Sequence, residues 1–182
     1  FDTAGDPKQA TTALRRFAQD ANALAVIGPF SSSEVRTTFP VGEREGISQM
    51  SMASSAPGLT KGFTYGFRNT TDEGKVIDQV LASIKDKKLP MASGAAAYAT
   101  DDVVSKSIGT VVVPKMFEKY AIPSKGAVDF QLAAFDLSPQ VAQLKQMAPD
   151  IVGLGSPPEG AVNLAKELKR QGVSTRIVGG TT

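Results

Sequence analysis

Short apolar runs alternate with helical stretches along this whole chain, and that alternation constrains the fold more than any other feature. Leu24-Ala25-Val26-Ile27 is stopped by Gly28-Pro29 and reads as a buried parallel strand. Further strand-like runs cover 47–51, 65–68, 91–98, 127–130, 151–154 and 176–178. Between them lie helical patterns. Asp6-Pro7 opens the first, with Ala10, Ala13, Leu14, Phe17 and Ala21 at helical spacing. Ser31-Ser32-Ser33 caps a second over about 33–45, where Pro40 predicts a kink or a late start. Asp72 opens a third with one apolar stripe (Val76, Ile77, Val80, Leu81, Ile84), and the following Lys85-Asp86-Lys87-Lys88 reads as its solvated end. Asp101-Asp102 starts a helix reaching Tyr120 with Pro114 late within it, and Ser138-Pro139 and Pro158 start two more, the last stopped by Gly172. The expected fold class is α/β, with parallel sheets and helices on both faces. One sheet, or two sheets split near 86–92, satisfies the pattern equally.

Composition removes whole classes of chemistry. The 182 residues contain no His, no Cys and no Trp. A Ser-His-Asp triad, a Cys nucleophile, a disulfide and an ordinary zinc site are therefore excluded. No cofactor is expected. With 20 Lys+Arg against 18 Asp+Glu, the formal charge of +2 gives no footprint for nucleic acid. No apolar run approaches the ~18 residues of a membrane span. The chain starts almost at a helix and stops just after a strand-like run, so it is expected to be part of a longer polypeptide.

In open α/β sheets ligands bind beyond the carboxyl ends of strands, and four such ends carry suitable residues. At Gly28-Pro29-Phe30-Ser31-Ser32-Ser33, hydroxyls and N–H groups at a helix start suit a carboxylate or phosphate, or simply cap the helix. At Ala53-Ser54-Ser55-Ala56-Pro57-Gly58, small residues let a ligand approach the backbone and Ser55 offers a hydroxyl, or the segment is an ordinary loop. At Tyr98-Ala99-Thr100-Asp101-Asp102, the paired carboxylates read better as first-turn dipole partners than as an acid/base or magnesium site. Gly153-Leu154-Gly155 begins like a dinucleotide fingerprint, but Pro158 stands where the third Gly belongs, which sets nicotinamide binding aside.

The order of these pieces resembles a known family. The stretches are 6–10, 25–32 and 56–60, then Phe67-Arg68-Asn69-Thr70, Ala148-Pro149-Asp150-Ile151-Val152 and Ile177-Val178-Gly179-Gly180. Together they are similar to the extracytoplasmic solute-binding proteins of ABC importers, of the branched-chain amino acid (Leu/Ile/Val) type. The resemblance covers essentially all of the chain. It implies the type I periplasmic binding protein fold: two Rossmann-like lobes with parallel sheets, each incomplete here, with ligand held between them. Residues 1–88 are expected to belong to the first lobe and 89–182 to the second.

By that resemblance Ser32, with Ser31 beside it, binds a ligand carboxylate, Ala53 gives a backbone carbonyl, and Ser55 gives a hydroxyl and N–H. The second lobe departs from the family pattern. Val103 and Ser156 stand where aromatics are usual, and Thr181 stands where an acid usually pairs with an α-ammonium. Tyr98 is the substitute aromatic wall. A buried ammonium without its acid is costly, so the expected ligand is a carboxylate lacking the amine, aromatic or branched. The implied function is capture of that solute in the periplasm, or another extracytoplasmic compartment, and delivery to a membrane permease. The alternative is a ligand-sensing domain of a receptor or regulator with the same fold. An enzyme is not expected, since the Ser clusters sit at capping positions with no Lys at motif spacing.

Overall fold

Asp6 accepts the N–H of Lys8 at 2.8 Å, and Pro7 follows, so helix α1 (Pro7–Ala18) starts where its cap and its proline require. A computed structural model describes residues 1–134 and 136–180. Two compact units emerge, Phe1–Asp72 and Glu73–Thr182.

In the first unit α1 leads to β1 (Ala25–Ile27), α2 (Ser32–Glu45), β2 (Ser48–Ser51) and β3 (Gly66–Arg68). The strands form one parallel sheet in the order β1-β2-β3. Leu14 of α1, Val41 of α2 and Ile47 form a buried cluster on which Val26 packs. Phe39 meets Phe63 edge-on at 5.7 Å, above Gly66, where any side chain would strike the Phe39 ring. Helix α2 starts at Ser32 and continues past Pro40, in place of the expected kink or late start. The bond that Pro40 forfeits is that of the Arg36 carbonyl, and Arg36 is exposed. Gly46 closes the helix with a left-handed backbone, φ +70°.

The expected burial of the first strand is corrected: Ala25 is exposed and Ile27 is 69% exposed. Register explains it. Ile27 pairs with Met50, and Met50 with Phe67, so all three share the sheet face opposite Val26 and Gln49. Met50 and Phe67 are 41% and 47% exposed, leaving that face bare.

The second unit runs α3 (Glu73–Asp86), β4 (Gly94–Ala99), α4 (Val103–Ser107), a π-helical turn (Ile108–Val112), α5 (Val113–Lys119), β5 (Ser124–Phe130), α6 (Ser138–Met147), β6 (Ile151–Gly155), α7 (Pro158–Arg170) and β7 (Arg176–Gly179). Its sheet is parallel, in the order β5-β4-β6-β7. Ala95, Ala97 and Ala99 turn one face of β4 into a core with Val141, Leu144, Leu164 and Leu168 of α6 and α7. The other face is kept small so that the α4–α5 rod can close on it. A Cβ on Gly155 would lie 2.3 Å from the Ser105 carbonyl oxygen, and one on Gly153 would lie 2.6 Å from Val113. Pro114 cannot donate to the preceding turn, and the π-helical turn ends two residues before it, at Val112.

Helix α3 buries Ile77, Leu81 and Ile84, and its Asp78 receives Lys119 Nζ at 2.7 Å and the Tyr120 hydroxyl at 2.8 Å. These contacts place α3 in the second unit, which begins at Glu73. Lys85, Asp86, Lys87 and Lys88 are exposed at its end.

Candidate functional site

The start of α2 is built by a capping box. Ser31 Oγ accepts the Glu34 N–H at 3.3 Å, and Glu34 Oε2 takes the Ser31 N–H at 3.2 Å and hydroxyl at 2.7 Å. The Thr3 hydroxyl donates to the other Glu34 oxygen. Burial pushes the Glu34 carboxyl up, but the hydrogen bonds from Thr3, then the Ser31 hydroxyl and N–H, outweigh it and hold it below the usual carboxylate range. Ser31 is thus committed to the cap. Ser32 and Ser33 follow as the first helical residues, whose N–H groups have no intrahelical partner.

Ser32 connects this helix start to the loop after β2: its buried hydroxyl oxygen accepts the Ala56 N–H at 3.3 Å. Two further serines stitch the same loops together. The Ser51 and Ser54 hydroxyls meet at 2.6 Å, Ser51 lying 3.1 Å from the Pro29 carbonyl and Ser54 2.9 Å from that of Phe30. The Gly28-Pro29 bond just before these two carbonyls is cis. Ala53 is half-buried, whereas the Ser55 hydroxyl is fully buried and makes no hydrogen bond among the described residues. The structure therefore brings Ser31, Ser32, Ala53 and Ser55 into one loop pair at the carboxyl ends of β1 and β2.

Sequence reasoning missed what holds that loop from the other side. Arg68 Nη1 donates to the Ala56 carbonyl at 2.9 Å, and Nη2 meets Asp72 Oδ2 at 2.8 Å. The same Asp72 oxygen accepts the Gly58 N–H at 3.1 Å, and the Thr70 hydroxyl donates to the Ser54 carbonyl at 3.0 Å. The available signal was an Arg-Asn-Thr-Thr-Asp segment leaving a strand, in which the charged pair brackets a turn.

A groove of about 470 Å³ lies beside these loops, between the apolar side of α1 (Leu14, Phe17) and the outer strand β1. Its lining includes Ser31 and Glu34 but neither Ser32 nor Ser55.

In the second unit Tyr98 of β4 stands opposite Gly155 of β6, where the strand order reverses direction. That reversal is the place where doubly wound sheets offer a crevice. The Tyr98 ring lies flush against Gly109 of the π-helical turn, where a Cβ would come within 2.1 Å of the ring. Ser156 is buried, donates to the Pro157 carbonyl at 2.9 Å, and tucks under Gly160. Val103 is exposed on the first turn of α4. Asp102 caps α4 through the Ser105 N–H at 2.7 Å and hydroxyl at 2.6 Å, and Asp101 accepts the Leu132 N–H at 3.1 Å, so both acids act as backbone partners. Thr181 lies outside the described residues. Among those described, no three acidic side chains gather as a metal would require.

Comparison with known proteins meets this geometry. The Leu/Ile/Val-binding protein of Escherichia coli K12 is 28% identical over 192 residues, covering 98% of this chain and 48% of that protein. A leucine binding protein from Thermotoga maritima superposes with a TM-score of 0.79 at 18% identity, over 98% of this chain and 50% of its own. A solute binding protein of an ABC transporter from Rhodopseudomonas palustris, solved with 3,4-dihydroxybenzoic acid, gives 0.78 at 14% identity, over 98% and 49%. The chain thus spans about half the length of the relatives it matches. Two separate parallel sheets, a serine-rich helix start after the first strand and a family match over residues 1–182 agree: the chain belongs to the periplasmic binding protein family.

Proposed function

We propose that this chain is the ligand-capturing part of an ABC-importer substrate-binding protein that works outside the cytoplasm and passes a small carboxylate-bearing solute to a membrane permease. The observation that carries this reading is the Ser55 hydroxyl, buried and without a partner among the described residues. It sits one residue from the Ala56 N–H that reaches Ser32. Leaving such a hydroxyl unpaired costs about 1–3 kcal/mol. A carboxylate arriving at the α2 start would take it, with the N–H groups of Ser32 and Ser33 and the helix dipole behind them. Ala53 would add its carbonyl. The family match and the R. palustris solute binding protein of an ABC transporter support the transport role.

The solute we favour lacks an amine. In the sequence Thr181 stands where the family pattern has the acid that pairs with an α-ammonium, and a buried ammonium without that partner is costly. The R. palustris protein with its aromatic acid supports this choice, and the Leu/Ile/Val-binding relative supports the competing one. Thermal-shift measurements on the full-length protein decide between them. One panel holds leucine, isoleucine and valine, and the other their des-amino acids and hydroxybenzoates. A ligand at ~100 times its Kd adds about 2.7 kcal/mol of stability. Shifts with the acids alone support the reading; shifts with the amino acids alone overturn the preference for an acid without an amine; no shift from either overturns the function.

A further inference from the structure

We propose that Arg68 is a positioning residue for the ligand loop, its guanidinium, paired with Asp72, setting the shape of residues 53–58 and through it the affinity of the site. This rests on the carboxylate-binding reading above. The geometry is a ladder built from side chains. Alternate loop residues Ser54, Ala56 and Gly58 are held by Thr70, Arg68 and Asp72, which alternate along the segment leaving β3. Ala56 is gripped at both ends, its N–H by Ser32 and its carbonyl by Arg68. Ser55 is the residue immediately before it, so the direction of that hydroxyl follows from how Ala56 is held. Gly58 turns with φ +73°, and its N–H is fixed by the same carboxylate oxygen that orients Arg68.

Arginine suits this position in a way lysine does not. One planar fork meets a carbonyl and a carboxylate at once in fixed geometry, whereas an ammonium on a flexible stem is not held in that plane. The pair is also shielded, with side chains 13% and 17% exposed, so salt and water weaken it less than a surface pair.

The test uses the full-length protein with Arg68→Gln, Arg68→Lys and Asp72→Asn. Calorimetric titration with leucine and with 3,4-dihydroxybenzoate reads affinity, and hydrogen exchange reads loop order. Arg68→Gln is expected to weaken whichever probe binds by about tenfold. Exchange should rise over 53–58 and stay unchanged in β1 and β2. Arg68→Lys, which retains one donor for Ala56, should fall between. Unchanged affinity in Arg68→Gln overturns the proposal, as does a loss of binding that tracks exchange raised evenly through the fold. If Arg68→Gln does not fold, Asp72→Asn decides by the same two readouts. If wild type binds neither probe, the function proposed above falls by itself. Exchange then decides alone: a rise confined to 53–58 supports the role of Arg68, and no rise overturns it.

Discussion

The Ser32 hydroxyl oxygen accepts the N–H of Ala56 at 3.3 Å, joining the first turn of α2 to a loop 24 residues further along the chain. That bond makes two strand ends into one surface. Ser32→Ala should leave the buried Ala56 N–H without a partner and lower stability by about 1–3 kcal/mol. Ser55→Ala should behave oppositely, because it deletes a buried hydroxyl that has no partner among the described residues. Its stability should be unchanged or slightly higher while ligand affinity falls, the usual direction of trade at a binding site. Urea unfolding together with calorimetric titration of both variants checks this. A Ser55→Ala protein that loses stability and keeps affinity assigns the residue to folding alone.

Gly155 is a second pressure point. Its Cα faces the Ser105 carbonyl so closely that an added Cβ would lie 2.3 Å away, against backbone that cannot rotate aside. Gly155→Ala should therefore cost about 1–3 kcal/mol through overpacking of β6 against α4. Denaturant unfolding measures the loss, and a neutral result would show that the α4 backbone shifts freely.

Glu34 gives the first unit an acid-sensitive joint. Its folded carboxyl lies below its ordinary range, so the unfolded chain binds a proton more readily than the folded one. The stability it contributes is complete above the ordinary Glu value of about 4.3. It is lost as pH falls below that value and through the depressed folded one. Glu34→Gln keeps the side-chain shape and should flatten this part of the stability–pH profile. Thr3→Val should raise the Glu34 titration midpoint toward the ordinary value, followed by carboxyl NMR.

Much of this was legible from local rules. Asp6-Pro7, Gly46 and the alternating strand and helix patterns each need only a few neighbouring residues to act, and each acts where the sequence places it. Ser31 and Glu34 also stand at capping-box spacing. What was not legible depends on partners far along the chain. The Ile27 exposure follows from which sheet face lacks a cover, a tertiary fact. Tyr98 was visible as an aromatic at a strand end, but the small Gly109 surface that receives its ring is 11 residues further on. Arg68 reaches Ala56 only because the intervening chain turns back, and no spacing rule anticipates that bond.

The bare face of the first sheet sets the behaviour of the 182-residue chain in solution. Ile27, Met50 and Phe67 lie side by side across the three strands, exposed by 69%, 41% and 47%. Leu24, just before β1, is 91% exposed, and among the described residues β1 is an outer strand that pairs with β2 alone. Parallel sheets normally have both faces covered, and an apolar row beside an unpaired edge is a template for association. Sedimentation velocity on this chain should therefore show a weight-average mass that rises with concentration. Ile27→Thr with Phe67→Thr places a β-branched residue at both positions while breaking the apolar row, and should reduce that rise. A wild-type chain that stays monomeric at all concentrations would mean that this face is too small or too interrupted to drive self-association.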